Sequence, residues 1–194
     1  MNTSRIAFEY LSRSSSISSV ATSLNLCQKD IVPAILNFMR THPESSYNEK
    51  IFKKLVYELI GNFLLSNINA DYFAEEYGLR TIEFIKLATR AIDDTNIIHS
   101  DALADKIYRQ LLHERASLGK FTPKRIIKIM AERYISDTWI TQSAMALSYG
   151  ISRCSVGYLL NRGIEEKILS PTLAEAVQIK SCNRQSVYIK KNPY

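Results

Sequence analysis

Thr141 to Gly163, TQSAMALSYGISRCSVGYLLNRG, is the stretch whose reading decides the fold. A helix-turn-helix unit needs two short helices meeting at a tight turn. The first helix carries a small residue at the contact, the turn wants a residue tolerant of positive φ, and the second helix turns apolar side chains inward. Ala146 supplies the small residue and Gly150, four positions on, the turn. Ile151 plugs the corner, and Val156 and Leu159 fall on the inner face of the second helix. Met145 and Tyr149 complete the buried stripe of the first helix. The competing reading is an ordinary helical hairpin packed on a core.

Working outward, the pattern recurs twice. In 17–39, Val20, Ala21 and Leu24 fill the first helix, Asn25 stands at the turn, Leu26 at the corner, and Ile31 and Ala34 in the second helix. Asn visits the left-handed region more readily than most residues, so it serves there. Pro33 fits only the first turn of a helix, which places the second helix start at Asp30 as N-cap. In 70–92, Phe73, Ala74, Tyr77, Gly78, Leu79, Phe84 and Leu87 match again, and the outward face carries Arg80, Thr81, Glu83, Ile85 and Lys86. Acidic neighbours (Asp71, Glu75, Glu76, Asp93, Asp94) repel phosphates, so this copy is expected to pack against protein or a partner subunit. The turn residues 25, 78 and 150 are unevenly spaced, which excludes a solenoid of fixed period.

The remaining segments also read as helices. Residues 3–12 form a short one; Ser14 to Ser19 lead into an N-cap. From Tyr47 to Leu65, Ile51, Leu55, Leu59 and Phe63 repeat every four residues beside Val56, Ile60 and Leu64, a stripe wide enough for a central core helix. Ser100 caps a helix running to about Leu118 and ended by Gly119; Thr122 as N-cap and Pro123 as first residue open the next. Ser170-Pro171-Thr172 starts the last helix. The fold class is therefore all-α: multi-helix domains with helix-turn-helix units, clearest in the C-terminal half. The division expected is 1–119, an N-terminal helical region, and 120–194, a C-terminal region with a basic tail.

Composition excludes several classes. The 194 residues are 46% hydrophobic and 23% charged, with six Gly and five Pro, which fits a globular chain and not a disordered one. The most apolar run, near Leu55 to Leu65, is broken by Glu58, Gly61 and Asn62, so no membrane partner is expected. Nothing resembles an apolar segment ahead of a cleavage site, and Cys27, Cys154 and Cys182 lie far apart without metal-ligand spacing. Reduced thiols, no metal, no cofactor and a cytoplasmic, nucleoid-associated location follow as expectations. His42, His99 and His113 are isolated from one another, and no glycine-rich phosphate loop or nucleophile elbow occurs. An enzyme is not expected.

Charge is unevenly spread. Residues 41–100 hold six Lys/Arg against nine Asp/Glu; residues 101–194 hold fifteen against eight, and the whole chain carries +6. A basic surplus in the part with the best helix-turn-helix is what a phosphate-binding surface requires. Lys124, Arg125 and Lys128 crowd a helix start, where the dipole disfavours cations, so an anion or solvent is expected to compensate.

From Arg125 to about Ser186 the chain resembles the stage III sporulation protein D family of bacterial transcriptional regulators. The likeness runs through RIIKIMAERYI, the helix-turn-helix, and ILSPTLAEAVQIKS. It covers about a third of the chain. The resemblance implies DNA binding through the helix-turn-helix, backbone contacts from the basic C-terminal region, and a bacterial or mobile-element source. Two departures stand out. Ser152-Arg153-Cys154-Ser155 replaces the family's serine-lysine-serine-threonine, and Gly157-Tyr158 replaces polar or basic residues. These imply a different target site or weaker binding.

The reading expects double-stranded DNA as partner. Arg153 grips a guanine edge, Ser155 and Tyr158 reach a base or phosphate, and Ser152 stands at the helix start. Asn161 and Arg162 meet backbone; Thr141 and Gln142 receive a phosphate at a helix N-terminus. Lys124, Arg125, Lys128, Lys180, Arg184, Lys190 and Lys191 add phosphate contacts. The rival reading is a protein-interaction module, an inhibitor or adaptor, with residues 41–100 as the surface for a homodimer or protein partner.

Overall fold

A computed structural model describes residues 2–12, 15–112 and 121–191, the last nine by backbone alone. Among the described residues there are eleven helices and no strand, so the fold is all-α. They divide into two compact units, Met1–His99 and Ser100–Tyr194. The helix opening at Asp101, assigned by the sequence to the N-terminal region, thus belongs to the second unit. No helix among the described residues is long and apolar enough to cross a membrane.

The first unit holds α1 (Thr3–Leu11), α2 (Ile17–Leu24), α3 (Gln28–Thr41), α4 (Asn48–Ser66), α5 (Ala70–Glu76) and α6 (Thr81–Asp93). The apolar stripe of α4 is its spine: Ile51, Leu55, Leu59 and Phe63 are buried, as are Val56 and Ile60. Phe63 packs edge-on against Phe73 of α5 and Phe84 of α6, with centroids 5.2 and 5.1 Å away. Glu58, a polar interruption in that stripe, bridges three elements. It accepts from the Tyr10 hydroxyl at 2.9 Å and from the Ile17 amide at 2.7 Å, joining α1 and the start of α2 to α4.

The second unit holds α7 (Asp101–Leu112), α8 (Lys124–Ser136), α9 (Gln142–Tyr149), α10 (Arg153–Glu165) and α11 (Pro171–Lys191). Here α8 touches every other helix of its unit, and Ile126, Ile127, Met130 and Tyr134 are its buried face. Gly163 lets α10 close on it: a Cβ there would sit 2.8 Å from Ile127 Cγ2. The expected end of the α7 helix at Gly119 lies outside the described residues.

One turn closes three helix pairs. Asn25, Gly78 and Gly150 all adopt left-handed backbone, with φ of 52°, 67° and 63°. The following residue then donates to an alanine carbonyl five positions back: Leu26 to Ala21, Leu79 to Ala74, Ile151 to Ala146. The left-handed residue itself donates to Thr22, Glu75 or Leu147, completing a Schellman motif each time.

Two helix starts differ from the sequence reading. α3 begins at Gln28, with Cys27 and not Asp30 at the N-cap, so Pro33 sits inside the helix. Proline has no N–H for the Lys29 carbonyl. That carbonyl instead faces the α5–α6 turn, where a Cβ on Gly78 would overlap its oxygen. α8 begins at Lys124 with Pro123 as cap residue and no side-chain cap bond. Thr122 does not cap it because its hydroxyl is buried 2.7 Å from the Tyr108 hydroxyl. Ile85, expected to face outward, is buried in the first unit.

Candidate nucleic-acid interface

The α9–α10 pair starts each helix with a hydroxyl cap. Thr141 Oγ1 accepts from the Ala144 amide at 3.0 Å, and Ser152 Oγ accepts from the Ser155 amide at 3.0 Å. Such a cap satisfies one of the open amides of a first turn. The Thr141 hydroxyl proton is left to donate outward. Ser152 and Ser155 also share a bond between hydroxyls at 2.8 Å, so both are partly committed to the start of α10. Met145, Ala146, Tyr149, Val156, Leu159 and Leu160 are buried, which fixes the opposite faces outward.

The outward face of α10 carries Arg153, Tyr158 and Asn161, all exposed. Arg153 is the cation of its first two turns, and it makes no ion pair with a described residue. Gln142 lies across from it at the start of α9, its Oε1 3.7 Å from where a Gly157 Cβ would be. Two large apolar side chains that the sequence reading passed over stand nearby in the chain: Trp139 is 89% exposed and Leu147 86%. Leu147 was legible as the residue outside the 145/146/149 stripe; Trp139 had no periodic signal.

The pair is held by α7. Arg109 bonds the Asp105 carboxylate at 2.7 Å, lies 4.5 Å over the Tyr149 ring, and donates to the Ser148 carbonyl at 3.3 Å. The Tyr149 hydroxyl donates to Asp105 at 2.5 Å. Burial, then the adjoining Asp105 carboxylate, pushes the Tyr149 phenol well above its ordinary value.

Of the other cations of the sequence reading, Arg125, Arg162 and Lys180 are bound within the fold. Arg125 is largely buried and bonds Asp101 at 2.6 Å. Arg162 bonds Glu166 at 2.9 Å and the Thr122 carbonyl at 3.4 Å. That bond holds the Glu166 carboxyl below the usual carboxylate range, with Lys124 adding to it. Lys124 is therefore near the far end of α10, roughly 20 Å along the helix from Arg153. Lys128 is exposed and loosely paired with Glu132 at 3.7 Å. Lys180 donates to the Tyr134 and Asp137 carbonyls and covers the Tyr134 ring. The side chains of Arg184, Lys190 and Lys191 lie outside those described.

No family model matches the chain, and neither a curated protein nor a solved structure does.

Proposed function

We propose that the chain is a cytoplasmic, sequence-specific double-stranded DNA-binding transcriptional regulator, with α10 lying in the major groove. The observation that carries this is the exposed Arg153 in the first turn of α10, beside exposed Tyr158 and the hydroxyl-capped start of α9. A guanidinium so placed grips guanine O6 and N7 bidentately, and capped helix starts receive phosphates. The resemblance drawn from the sequence supports the same reading.

Selection of bound fragments from random duplex DNA tests it, followed by affinity measurement on the enriched site. Arg153→Ala should cost about 1–3 kcal/mol and relax preference at one base position. Arg125, Arg162 and Lys180 are engaged within the fold, so few phosphates are neutralised. The slope of log affinity against log salt should accordingly be about −3 to −5. A second reading, docking onto another protein, is favoured by exposed Trp139 and Leu147, since large apolar side chains in the open mark interaction surfaces. No enrichment of any duplex, or binding indifferent to salt, would move the assignment to that reading.

A further inference from the structure

Two glycines lie inside α10, and the fold explains one of them. Gly163 has no room for a side chain, as Ile127 and Leu169 crowd its Cβ position at 2.8 and 3.1 Å. Gly157 has room: the nearest atom to a Cβ there is Gln142 Oε1 at 3.7 Å, an ordinary contact. Its φ is not positive, so the backbone does not require glycine either. A glycine in mid-helix weakens the helix, and its remaining use is to let something approach the backbone closely. Gly157 is one turn after Arg153 and one before Asn161, on the same outward stripe. The Gln142 amide at its rim makes no hydrogen bond to a described residue.

Gly157 has no polar side chain, and its N–H is used within the helix. The group it suits is one that needs no hydrogen bond. On the major-groove edges of the bases that group is the thymine 5-methyl. Glutamine amides pair bidentately with adenine N6 and N7, which thymine O4 separates from that methyl across the same base pair. We propose that Gly157 and Gln142 form a subsite for a single A·T pair, the thymine methyl seated on the bare Gly157 backbone and the adenine held by Gln142. This rests on α10 reading duplex DNA.

The test uses the full chain and the duplex enriched by selection. Gly157→Ala should raise the melting temperature by about 4 °C, because alanine favours the helix. It should also weaken binding about tenfold. Replacing thymines by uracil one at a time removes the methyl; at one position this should restore Gly157→Ala binding to within about threefold. Gln142→Ala should relax the adenine preference at that same pair. Gly61→Ala in α4, another helical glycine with nothing within 4 Å of its Cβ position, should be stabilised without a change in DNA affinity. Wild-type affinity of Gly157→Ala, or a loss that no uracil restores, overturns the subsite while Arg153→Ala still reports on the DNA reading. If Arg153→Ala binds as the wild type does, the reading beneath the subsite fails instead.

Discussion

Gly78 and Gly150 hold the same place in the same turn, yet replacing them should not cost the same. At Gly150, φ is +63° and nothing lies within 4 Å of a Cβ, so alanine meets only the left-handed penalty, about 1 kcal/mol. At Gly78 the same penalty is joined by overlap with the Lys29 carbonyl, backbone that cannot swing aside, for a total of about 3 kcal/mol. Urea unfolding of the two variants should separate them by this margin, and equal losses would mean the α3 contact yields freely. The turn requirement at both glycines was legible, because positive φ follows from local pattern. The close approach at Gly78 was not, since it depends on Pro33 leaving a carbonyl open 49 positions earlier in the chain than residue 78, counted from Lys29. Arg125, Arg162 and Lys180 escaped for a related reason. Arg125 and Lys180 bond acceptors 24 and 46 positions away, which no local pattern announces, and Arg162 adds a carbonyl 40 positions away to its local partner Glu166, four residues on.

Among the elements, helix bodies were readable and helix ends less so. The α4 stripe and the three glycine or asparagine turns follow from apolar spacing and φ preference, which act within a few residues. The start at Lys124 differs from the expected cap because a tertiary partner competes for the capping group, as Tyr108 does for Thr122; α3 starts early, at Gln28, and carries Pro33 inside it. Lys180 shows the same competition at a helix end. From α11 it donates to the Tyr134 and Asp137 carbonyls at the C-terminal end of α8, where a cation complements the dipole. Lys180→Met keeps an unbranched side chain of similar length and removes the ammonium over the Tyr134 ring together with its bonds. It should destabilise the second unit by about 2 kcal/mol. If the proposed DNA binding holds, its salt dependence should stay as it is, because Lys180 is occupied within the fold. A shallower salt slope in Lys180→Met with unchanged stability would return this lysine to the phosphate-contacting set.

At the scale of the whole molecule, buried phenols in both units couple the fold to alkaline pH. Burial raises Tyr10 and Tyr77 in the first unit and Tyr149 in the second; it pushes Tyr108 up to about 12. At Tyr10 the Glu58 carboxylate, which accepts its proton at 2.9 Å, adds to the rise. Each folded phenol holds its proton more tightly than the unfolded chain does, so the stability from this source is complete below about pH 10. It drains away as pH rises through the folded values, because the unfolded chain then ionises first. The shift at Tyr108 alone corresponds to about 3 kcal/mol. Urea midpoints should hold level from about pH 8 to about pH 10 and fall steeply toward about pH 12. Tyr149→Phe should be less stable at neutral pH through loss of the Asp105 bond, and its decline above about pH 10 should be shallower. Phenolate absorbance followed alongside helical circular dichroism decides the matter. If the buried phenols ionise near pH 10 with helicity intact, burial is not what holds their protons; if ionisation and helix loss arrive together, these tyrosines link the cores of both units to their protonation.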